Sequence, residues 1–228
     1  MTGGWQGREA LRTLALIKSA VRQFQHAGRV RRKCARLDNV RLNIGCGARP
    51  TPGWVNFDMF ASAQVDLWDC RQGLPFADAT IQAIYSEHVF EHLELEDEAR
   101  PFLAECLRCL KPGGVLRLVV PDAGAYLIAY ARPWEDLVRM RALAPTEGGW
   151  RDPWLGEVYE TPMQLINAVF RQGREHRYAY DEETLALVLR QAGFRDVKVQ
   201  SYGVSADPAM APDTESRRSE SLYMEAIR

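Results

Sequence analysis

Short apolar runs separated by turns alternate with helical stretches from residue 40 onward, and this alternation predicts an α/β domain with a largely parallel sheet. Two strands are predicted near the end of the chain, after a helix, and a proline-rich loop separates them. The first five runs have the length of buried strands: Val40–Ile44, Trp54–Asp58, Gln64–Leu67, Ile81–Ser86 and Val115–Pro121. The last two are Asp196–Tyr202 and Ser221–Ile227. The pattern favours one Rossmann-like α/β domain.

Apolar residues at helical spacing predict two helices between these strands. The first runs from about Leu95 to Leu110 and is expected to end at Pro112-Gly113-Gly114, because glycine commonly follows the last turn of a helix. The second follows Asp181, a favourable N-cap residue, and ends before Gly193. The first helix occupies the position of a crossover between parallel strands.

Residues 1–38 are predicted to form an N-terminal extension to a domain that spans residues 39–228. Between residues 8 and 36 there are nine basic side chains and one acid, Glu9. Helical spacing of the apolar residues indicates an amphipathic helix with a basic outer face: Leu11, Leu14, Ile17, Val21 and Phe24. Such a helix either packs on the domain with its charges in water, or contacts a membrane surface or an anionic partner.

Residues 123–176 form a long, less regular insertion that is rich in aromatic side chains. Insertions of this length are usually functional or disordered, and the aromatic content argues against disorder. We expect either a lid over a ligand site or a small satellite core, and the two are compatible.

Composition limits the setting and the partners. The chain has 228 residues, 46% of them hydrophobic, and a formal net charge of −1, which gives the whole molecule no electrostatic preference for nucleic acid. Its five cysteines show no disulfide framework, so we expect a reducing, cytoplasmic setting. Cys106 and Cys109 lie on a predicted helix with no second pair to complete a zinc site, so no metal is expected. No apolar run approaches the ~20 residues that a membrane span requires.

A strand that runs directly into two glycines marks a candidate ligand site. Gly45 and Gly47 follow the first strand, and Asp58 ends the second, where its carboxylate can accept both hydroxyls of a ribose. Dinucleotide binding is the competing interpretation, but it needs a helix opening on a third glycine. Pro50 and Pro52 oppose that helix, and Asp58 comes earlier than the usual offset of ~20 residues. The pattern therefore favours a nucleoside ligand without a pyrophosphate.

The motifs LNIGCG, PGWVNFD, VDL, LPFADATIQAIYSEHVFEHL and LKPGGVLRLVVPD, from about residue 41 to 122, resemble class I S-adenosylmethionine-dependent methyltransferases of the type 11 group. The segments REHRYAYDEETLALVLRQAGF and SESLYMEA are similar to the same group more loosely. The resemblance implies a seven-stranded sheet with its last strand antiparallel and helices on both faces. It also implies S-adenosylmethionine as the cofactor and methyl transfer as the reaction.

The resemblance assigns roles to residues at the strand ends. Gly45 and Gly47 would lie under the methionine part of the cofactor, and Asp58 would bind the ribose. Asp66 and Leu67 match the adenine-side pair, and Asp69 is an alternative to Asp66. Asp58 and Asp66 could each instead cap the turn after its strand. The complete set of expected cofactor-binding residues is Asn43, Gly45, Cys46, Gly47, Asp58, Met59, Asp66, Leu67, Ser86 and Glu87.

Candidate catalytic residues follow from the same comparison. Ser86, Glu87 and His88 lie where the resemblance places the transferable methyl group. His88 and His176 are the candidate bases, because imidazole suits proton transfer near neutral pH, although either could orient a substrate or serve only as a structural donor. Glu91 and His92 are expected to have structural hydrogen-bonding roles.

The expected acceptor is a small molecule or a glycan, methylated on a hydroxyl of a sugar, glycan, lipid or small metabolite. DNA is not expected, because no Asn/Asp-Pro-Pro-aromatic stretch follows the fourth strand. Two alternatives stay open: a non-catalytic scaffold that binds the cofactor, and an RNA methyltransferase that uses the basic helix for phosphate contacts.

Overall fold

The computed structural model describes residues 26–60, 62–207, 210 and 212–228 of the chain. The helices in these residues are α1, whose described part covers residues 26–34, α2 (Arg100–Cys109), α3 (Ala123–Tyr130), α4 (Trp134–Arg141), α5 (Pro162–Arg171) and α6 (Glu182–Gln191). The strands are β1 (Val40–Ile44), β2 (Val55–Asp58), β3 (Asp66–Leu67), β4 (Ile81–Glu87), β5 (Leu110–Pro121), β6 (Ala144–Thr146), β7 (Gly149–Arg151), β8 (Val158–Tyr159), β9 (Arg195–Gln200) and β10 (Ser221–Ile227). Residues 1–25, most of the predicted basic helix, lie outside the described part.

Seven strands form the central sheet in the order β3-β2-β1-β4-β5-β10-β9. The pairs from β3 to β5 are all parallel, and β10 runs antiparallel to both β5 and β9. The predicted seven-stranded α/β sheet with an antiparallel last strand is therefore confirmed. Within the described residues, the structure has no helix long and apolar enough to cross a bilayer.

One face of this sheet is apolar and carries helices. The side chains of β5 and β10 alternate between the two faces, as they must in extended strands. Residues from three helices share one core with the inward side chains of the sheet: Val30 and Cys34 of α1, Leu103 and Cys106 of α2, and Leu185 and Leu189 of α6. Cys106 and Cys109 are both buried here as free thiols. Burial raises the pKa of both thiols, so they behave as small apolar side chains.

The opposite face is polar at its centre and is covered by the connection between β9 and β10. Arg117 of β5 is fully buried there; its guanidinium donates to Asp213 Oδ1 at 2.9 Å, to Glu225 Oε1 at 3.0 Å and to the Val204 carbonyl at 2.8 Å. Helices were expected on both faces, but among the described residues α1, α2 and α6 all lie on the first. In their described residues, the short β1–β2 and β2–β3 connections contain no α-helix. A buried ion network occupies the sheet face that such helices would cover.

The first of the two predicted helices and the strand after it differ in detail from the prediction. The helix begins with a π-helical turn at Leu95–Ala99 and ends at Cys109, and β5 starts at Leu110 instead of Val115. Ile81 pairs with Leu110 and Ala83 with Val115, so the intervening Pro-Gly-Gly segment is a bulge within the strand. Gly113 and Gly114, which were expected to mark the end of the helix, lie in this bulge, several residues after Cys109.

The insertion is a folded unit at the carboxyl edge of the sheet. It comprises α3, α4, α5 and a small antiparallel sheet in the order β6-β7-β8. Its own apolar core includes Tyr126, Leu137, Leu143, Tyr159, Leu165 and Val169. Glu220, just before β10, accepts from Tyr126 Oη at 2.8 Å and from the Arg141 guanidinium, which ties the insertion to the main sheet. The insertion thus has the satellite core that was expected.

Replacing Arg117 with leucine is expected to lower the free energy of unfolding by about 3–5 kcal/mol, because Asp213 and Glu225 would stay buried without their cation. Urea unfolding followed by circular dichroism measures the change. The matched control is Arg195→Leu, on the exposed edge of β9, which is expected to stay within about 0.5 kcal/mol. Equal losses in the two variants would contradict a stabilising role for the buried network.

Candidate active site

The carboxyl ends of β1, β2 and β4 meet at one edge of the sheet. Ile44 pairs with Phe57 on one side and with Ser86 on the other, so the segments that follow the three strands leave the sheet at the same level. The residues that follow, Gly45 and Gly47 after β1 and His88 after β4, therefore surround one crevice. Open α/β sheets bind their ligands at such a position, where adjacent connections diverge.

The glycine loop has positive φ angles and no room for a side chain at its first glycine. Gly45 has φ 72°, and a Cβ built there would lie 2.0 Å from Cγ2 of Val89. Gly47 has φ 54°, and a Cβ there would meet no described atom within 4 Å. The backbone N–H of Gly47 donates to Asp58 Oδ2 at 2.8 Å. Gly45 is thus required by packing, whereas Gly47 borders open space beside a carboxylate.

A cleft of about 340 Å³ opens beside this loop. That volume is within the range of small-molecule sites. Six of the predicted site residues line it: Asn43, Gly45, Cys46, Gly47, Glu87 and His88. The residues that the sequence did not indicate are Ala48, Arg49, Thr51, Tyr85, Pro212, Thr214 and Arg217.

The segment before β10 forms one wall of the cleft. Thr214 donates to Glu87 through its backbone N–H, at 3.1 Å from Oε1, and through its hydroxyl, at 2.5 Å from Oε2. Arg49 Nη1 donates to the same hydroxyl oxygen at 2.9 Å. Next to it, the Arg217 guanidinium lies over the ring of Trp154, 5.2 Å from its centre, and so contacts the insertion. The cleft therefore carries two cations and one carboxylate.

The other predicted cofactor residues lie outside the lining of this cleft. Asp58 borders it through Gly47, and its second oxygen accepts from the Phe60 N–H at 3.0 Å. Asp66 pairs with Lys33 of α1 at 2.5 Å, and Asp69 caps a short turn while binding the Arg71 guanidinium. Met59, Leu67 and Ser86 also lie at the strand ends, with Leu67 and Ser86 buried. Both carboxylates near β3 thus already have protein partners.

Three of the four histidines of the chain meet around the carboxylate of Glu91. His88 Nδ1 lies 3.4 Å from Glu91 Oε1, His176 Nε2 lies 3.8 Å from it and His92 Nε2 lies 4.0 Å from it. The N–H of Arg177 donates to the Glu91 carbonyl at 2.8 Å, which joins the end of the insertion to the turn after β4. The structure thus brings the two predicted catalytic histidines together, with Glu91 between them.

Burial controls the protonation of this cluster. It lowers the pKa of His88 to about 3, and it lowers the pKa of His176 while Glu91 partly opposes that shift. It also raises the pKa of Glu91. Both imidazoles are therefore neutral near pH 7, and His88 is a much weaker base than an ordinary histidine. Its Nε2 is 2.9 Å from Ser221 Oγ, at hydrogen-bonding distance.

Residues 60–118 match the sequence model of a family described as a methyltransferase domain. The matched segment contains β3, β4 and most of β5, and the remaining strands complete the seven-stranded order that the sequence motifs imply. The middle of the chain is therefore similar to a methyltransferase domain.

Solved structures to which the chain is similar include several methyltransferases. A Mesorhizobium loti S-adenosylmethionine-dependent methyltransferase is 16% identical, with a TM-score of 0.45, over 89% of this chain and 97% of that one. The Burkholderia thailandensis 1,6-didemethyltoxoflavin-N1-methyltransferase is 14% identical, with a TM-score of 0.46, over 98% and 82%. A Thermotoga maritima possible histamine N-methyltransferase is 14% identical, with a TM-score of 0.47, over 93% and 98%. No curated protein matches this sequence.

The cleft residues that sequence reasoning missed arrive through long-range pairing. Ser221 pairs with Pro121 when β10 adds antiparallel to β5, and this brings Thr214 and Arg217 beside the end of β4. Their own segment contains no spacing that indicates a site. Arg49 is different, because it follows Gly47 by two residues and its proximity to the loop was available as a signal.

Substituting each glycine of the loop with alanine is expected to separate folding from binding. Gly45→Ala forces a clash with Val89, so its free energy of unfolding should fall by more than about 2 kcal/mol, from overpacking and from the positive φ. The free energy of unfolding of Gly47→Ala should lie within about 1–2 kcal/mol of that of the natural protein. The variant should nevertheless bind S-adenosylmethionine more weakly, since its methyl group enters the cleft. Thermal unfolding and titration calorimetry measure the two effects, and full cofactor affinity in Gly47→Ala would place the cofactor elsewhere.

Proposed function

We propose that the protein is a methyltransferase that binds S-adenosylmethionine in the cleft beside β1 and transfers its methyl group to a hydroxyl of a small molecule or glycan. The observation that carries the cofactor assignment is the open space over Gly47, bordered by the carboxylate of Asp58. Each oxygen of that carboxylate accepts one backbone hydrogen bond and keeps a second acceptor site for a ribose hydroxyl. Asp58 is therefore proposed to bind the ribose.

The charges of the cleft suit the amino-acid end of the cofactor. S-adenosylmethionine combines a carboxylate with an ammonium and a sulfonium group. The lining offers Arg49 and Arg217 to the carboxylate and Glu87 to the cationic groups. Gly45 and Gly47 are proposed to lie under the methionine part, and Asp66 and Leu67, with Met59, stay the prediction for the adenine side. Ser86, Asn43 and Cys46 would support the loop from the strands.

The hydroxyl acceptor is inferred from the groups behind the cleft. The bound cofactor supplies an activated methyl group, so the protein has to align the acceptor and receive its proton. Alignment at near-attack distance can supply on the order of 7–11 kcal/mol in the best intramolecular cases. His88 lines the cleft and, being neutral, would accept a hydrogen bond from the hydroxyl at Nε2, in place of its present contact with Ser221 Oγ. Glu91 and His176 lie behind it as the nearest groups that can share the proton.

The insertion is proposed to close over the acceptor. Trp154, in the middle of the insertion, contacts Arg217 at the cleft, and His176 ends the insertion beside Glu91, so two parts of the insertion reach the site. A closed insertion would exclude water from the reacting groups. Because the insertion has its own apolar core, we expect it to cover the acceptor as one packed unit.

Peripheral contact through the basic N-terminal helix is a separate proposal. In the described part, Arg29, Arg32 and Arg36 are exposed. Two other basic residues are turned to the domain, because the Arg31 guanidinium lies 5.5 Å from the centre of Trp68 and Lys33 pairs with Asp66. The exposed cations could bind a membrane surface, another anionic surface or RNA.

Asp58→Asn is expected to reduce the affinity for S-adenosylmethionine by at least about tenfold while leaving the fold intact, because hydrogen bonds to a charged group contribute about 1.5–3 kcal/mol each. Titration calorimetry measures the affinity, and thermal unfolding checks the fold. The matched control is Asp78→Asn, an exposed carboxylate before the start of β4 that pairs with Arg108. Undiminished binding in Asp58→Asn would refute the ribose assignment.

The acceptor class can be tested with methyl-labelled cofactor. The protein is incubated with separate pools of polar metabolites, glycans, lipids and RNA, and label is expected as methyl ethers in one of the first three pools. His88→Ala should lower the labelling rate more than the cofactor affinity. Label in RNA would favour the RNA alternative, and label as methylamine would contradict a hydroxyl acceptor. Cofactor binding without labelling of any pool would favour the non-catalytic scaffold.

A further inference from the structure

The cluster behind the cleft has the composition of a transition-metal site. The potential ligand atoms of Glu91, His92 and His176 all lie within 4.8 Å of one another, and His88 approaches the same carboxylate oxygen to 3.4 Å. Imidazole nitrogens with a carboxylate are a common donor set for divalent first-row metals. Three of the four histidines in the chain lie here, although the sequence separates His176 from the others by the whole insertion.

The spacing of the donor atoms fits a shared ion better than direct hydrogen bonds. His88, His92 and His176 stand 3.4, 4.0 and 3.8 Å from Glu91 Oε1. Ligands about 2.0–2.1 Å from one tetrahedral ion are about 3.4 Å apart. Small movements of the side chains would therefore bring the donors into a common coordination sphere.

Glu91 makes the cluster costly without a further partner. Its side chain is 2% exposed, and neither carboxylate oxygen has a hydrogen-bond partner among the described residues. A buried polar group left in this state is destabilising, so its retention calls for a cation or another bound species. Beside it is a cavity of about 10 Å³, lined by Glu91, His176 and Tyr180 among others. This space admits one ion or one water molecule, not an organic ligand.

The ring of His176 is already oriented as a metal ligand would be. Its Nδ1 is hydrogen-bonded to the carbonyl of Val169 in α5, which requires the proton on Nδ1 and leaves Nε2 as the lone-pair nitrogen facing Glu91. Metal-binding histidines commonly have their second nitrogen fixed in this way by a backbone carbonyl.

We propose that Glu91, His92 and His176 bind one divalent transition-metal ion, with His88 beside it at the boundary of the cleft. Zn²⁺ fits the imidazole and carboxylate donors, and Fe²⁺, Co²⁺ and Mn²⁺ have the same donor preferences to different degrees. The ion joins the turn after β4 to the end of the insertion. Metal binding does not require the acceptor proposed above, but a bound ion would replace the proton-sharing role of Glu91 and His176 with that of metal ligands.

The test uses the full chain after treatment with a chelator and dialysis, titrated with Co²⁺ and Zn²⁺. One ion per chain is expected, and the Co²⁺ spectrum should show nitrogen and oxygen ligands without the charge-transfer bands of thiolates. Zn²⁺ should raise the thermal midpoint, because an ion that binds only the folded state stabilises it. Glu91→Gln and His176→Asn should each weaken binding by at least about tenfold.

The matched control is His26→Asn, because His26 is the one histidine outside the cluster and is exposed. It should bind Co²⁺ and respond to Zn²⁺ as the natural protein does. Absence of stoichiometric binding in the natural protein would overturn the proposal and leave the cavity to water. Thiolate bands, or equal affinity in His176→Asn and His26→Asn, would also overturn it. The spectrum of the natural protein decides the question even if a cluster variant fails to fold, and cofactor titration of the same samples tests the cleft separately.

Discussion

The parallel pairing of β1 with both β2 and β4 is the constraint on which the rest of the structure depends. Because Ile44 is level with Phe57 and with Ser86, the segments that follow β1, β2 and β4 leave the sheet at the same level, and a crevice opens between them. The crevice has room for a ligand only if one of these segments lacks side chains at this point. Gly45 and Gly47 meet that requirement, and Val89 packs so closely on Gly45 that no side chain fits at that position of the loop. Fold and site are thus specified by the same three strand ends.

The antiparallel addition of β10 completes the site from the other side. Arg117 holds Asp213 on the polar face of the sheet, and the next residue, Thr214, binds Glu87 at the cleft. Glu220, one residue before β10, binds Arg141 of the insertion. Ser221, the first residue of β10, contacts His88. Stability and site geometry are therefore linked here, because the ion network that buries Arg117 also fixes the cleft wall. A weaker network would loosen the cleft before it unfolded the sheet.

Sequence reasoning succeeded where the signal is local. β1 and β10 have their predicted bounds, since each is a continuous apolar run between breakers. Gly45, Gly47 and Asp58 lie at one edge of the sheet, as their positions at strand ends predict. The bulge at Pro112 needed knowledge of its partner strand. Nothing near Thr214 or His176 in sequence predicts that they approach β4; those contacts exist only after β10 and the insertion have docked. Local patterns specify strand ends, and tertiary pairing adds the groups that line the site.

His88 occupies the point at which the cleft and the histidine cluster meet, and its backbone is unusual. It has φ 53°, a region that non-glycine residues enter at a cost of order 1–3 kcal/mol, and its N–H is fixed by the Val119 carbonyl at 2.8 Å. A glycine would avoid this strain but would remove the imidazole between Ser221 and Glu91. The strain is the consequence of turning a side chain back from the end of β4 toward both sites. This strain supports the proposed role of His88, whose imidazole lies between the cleft and the cluster around Glu91.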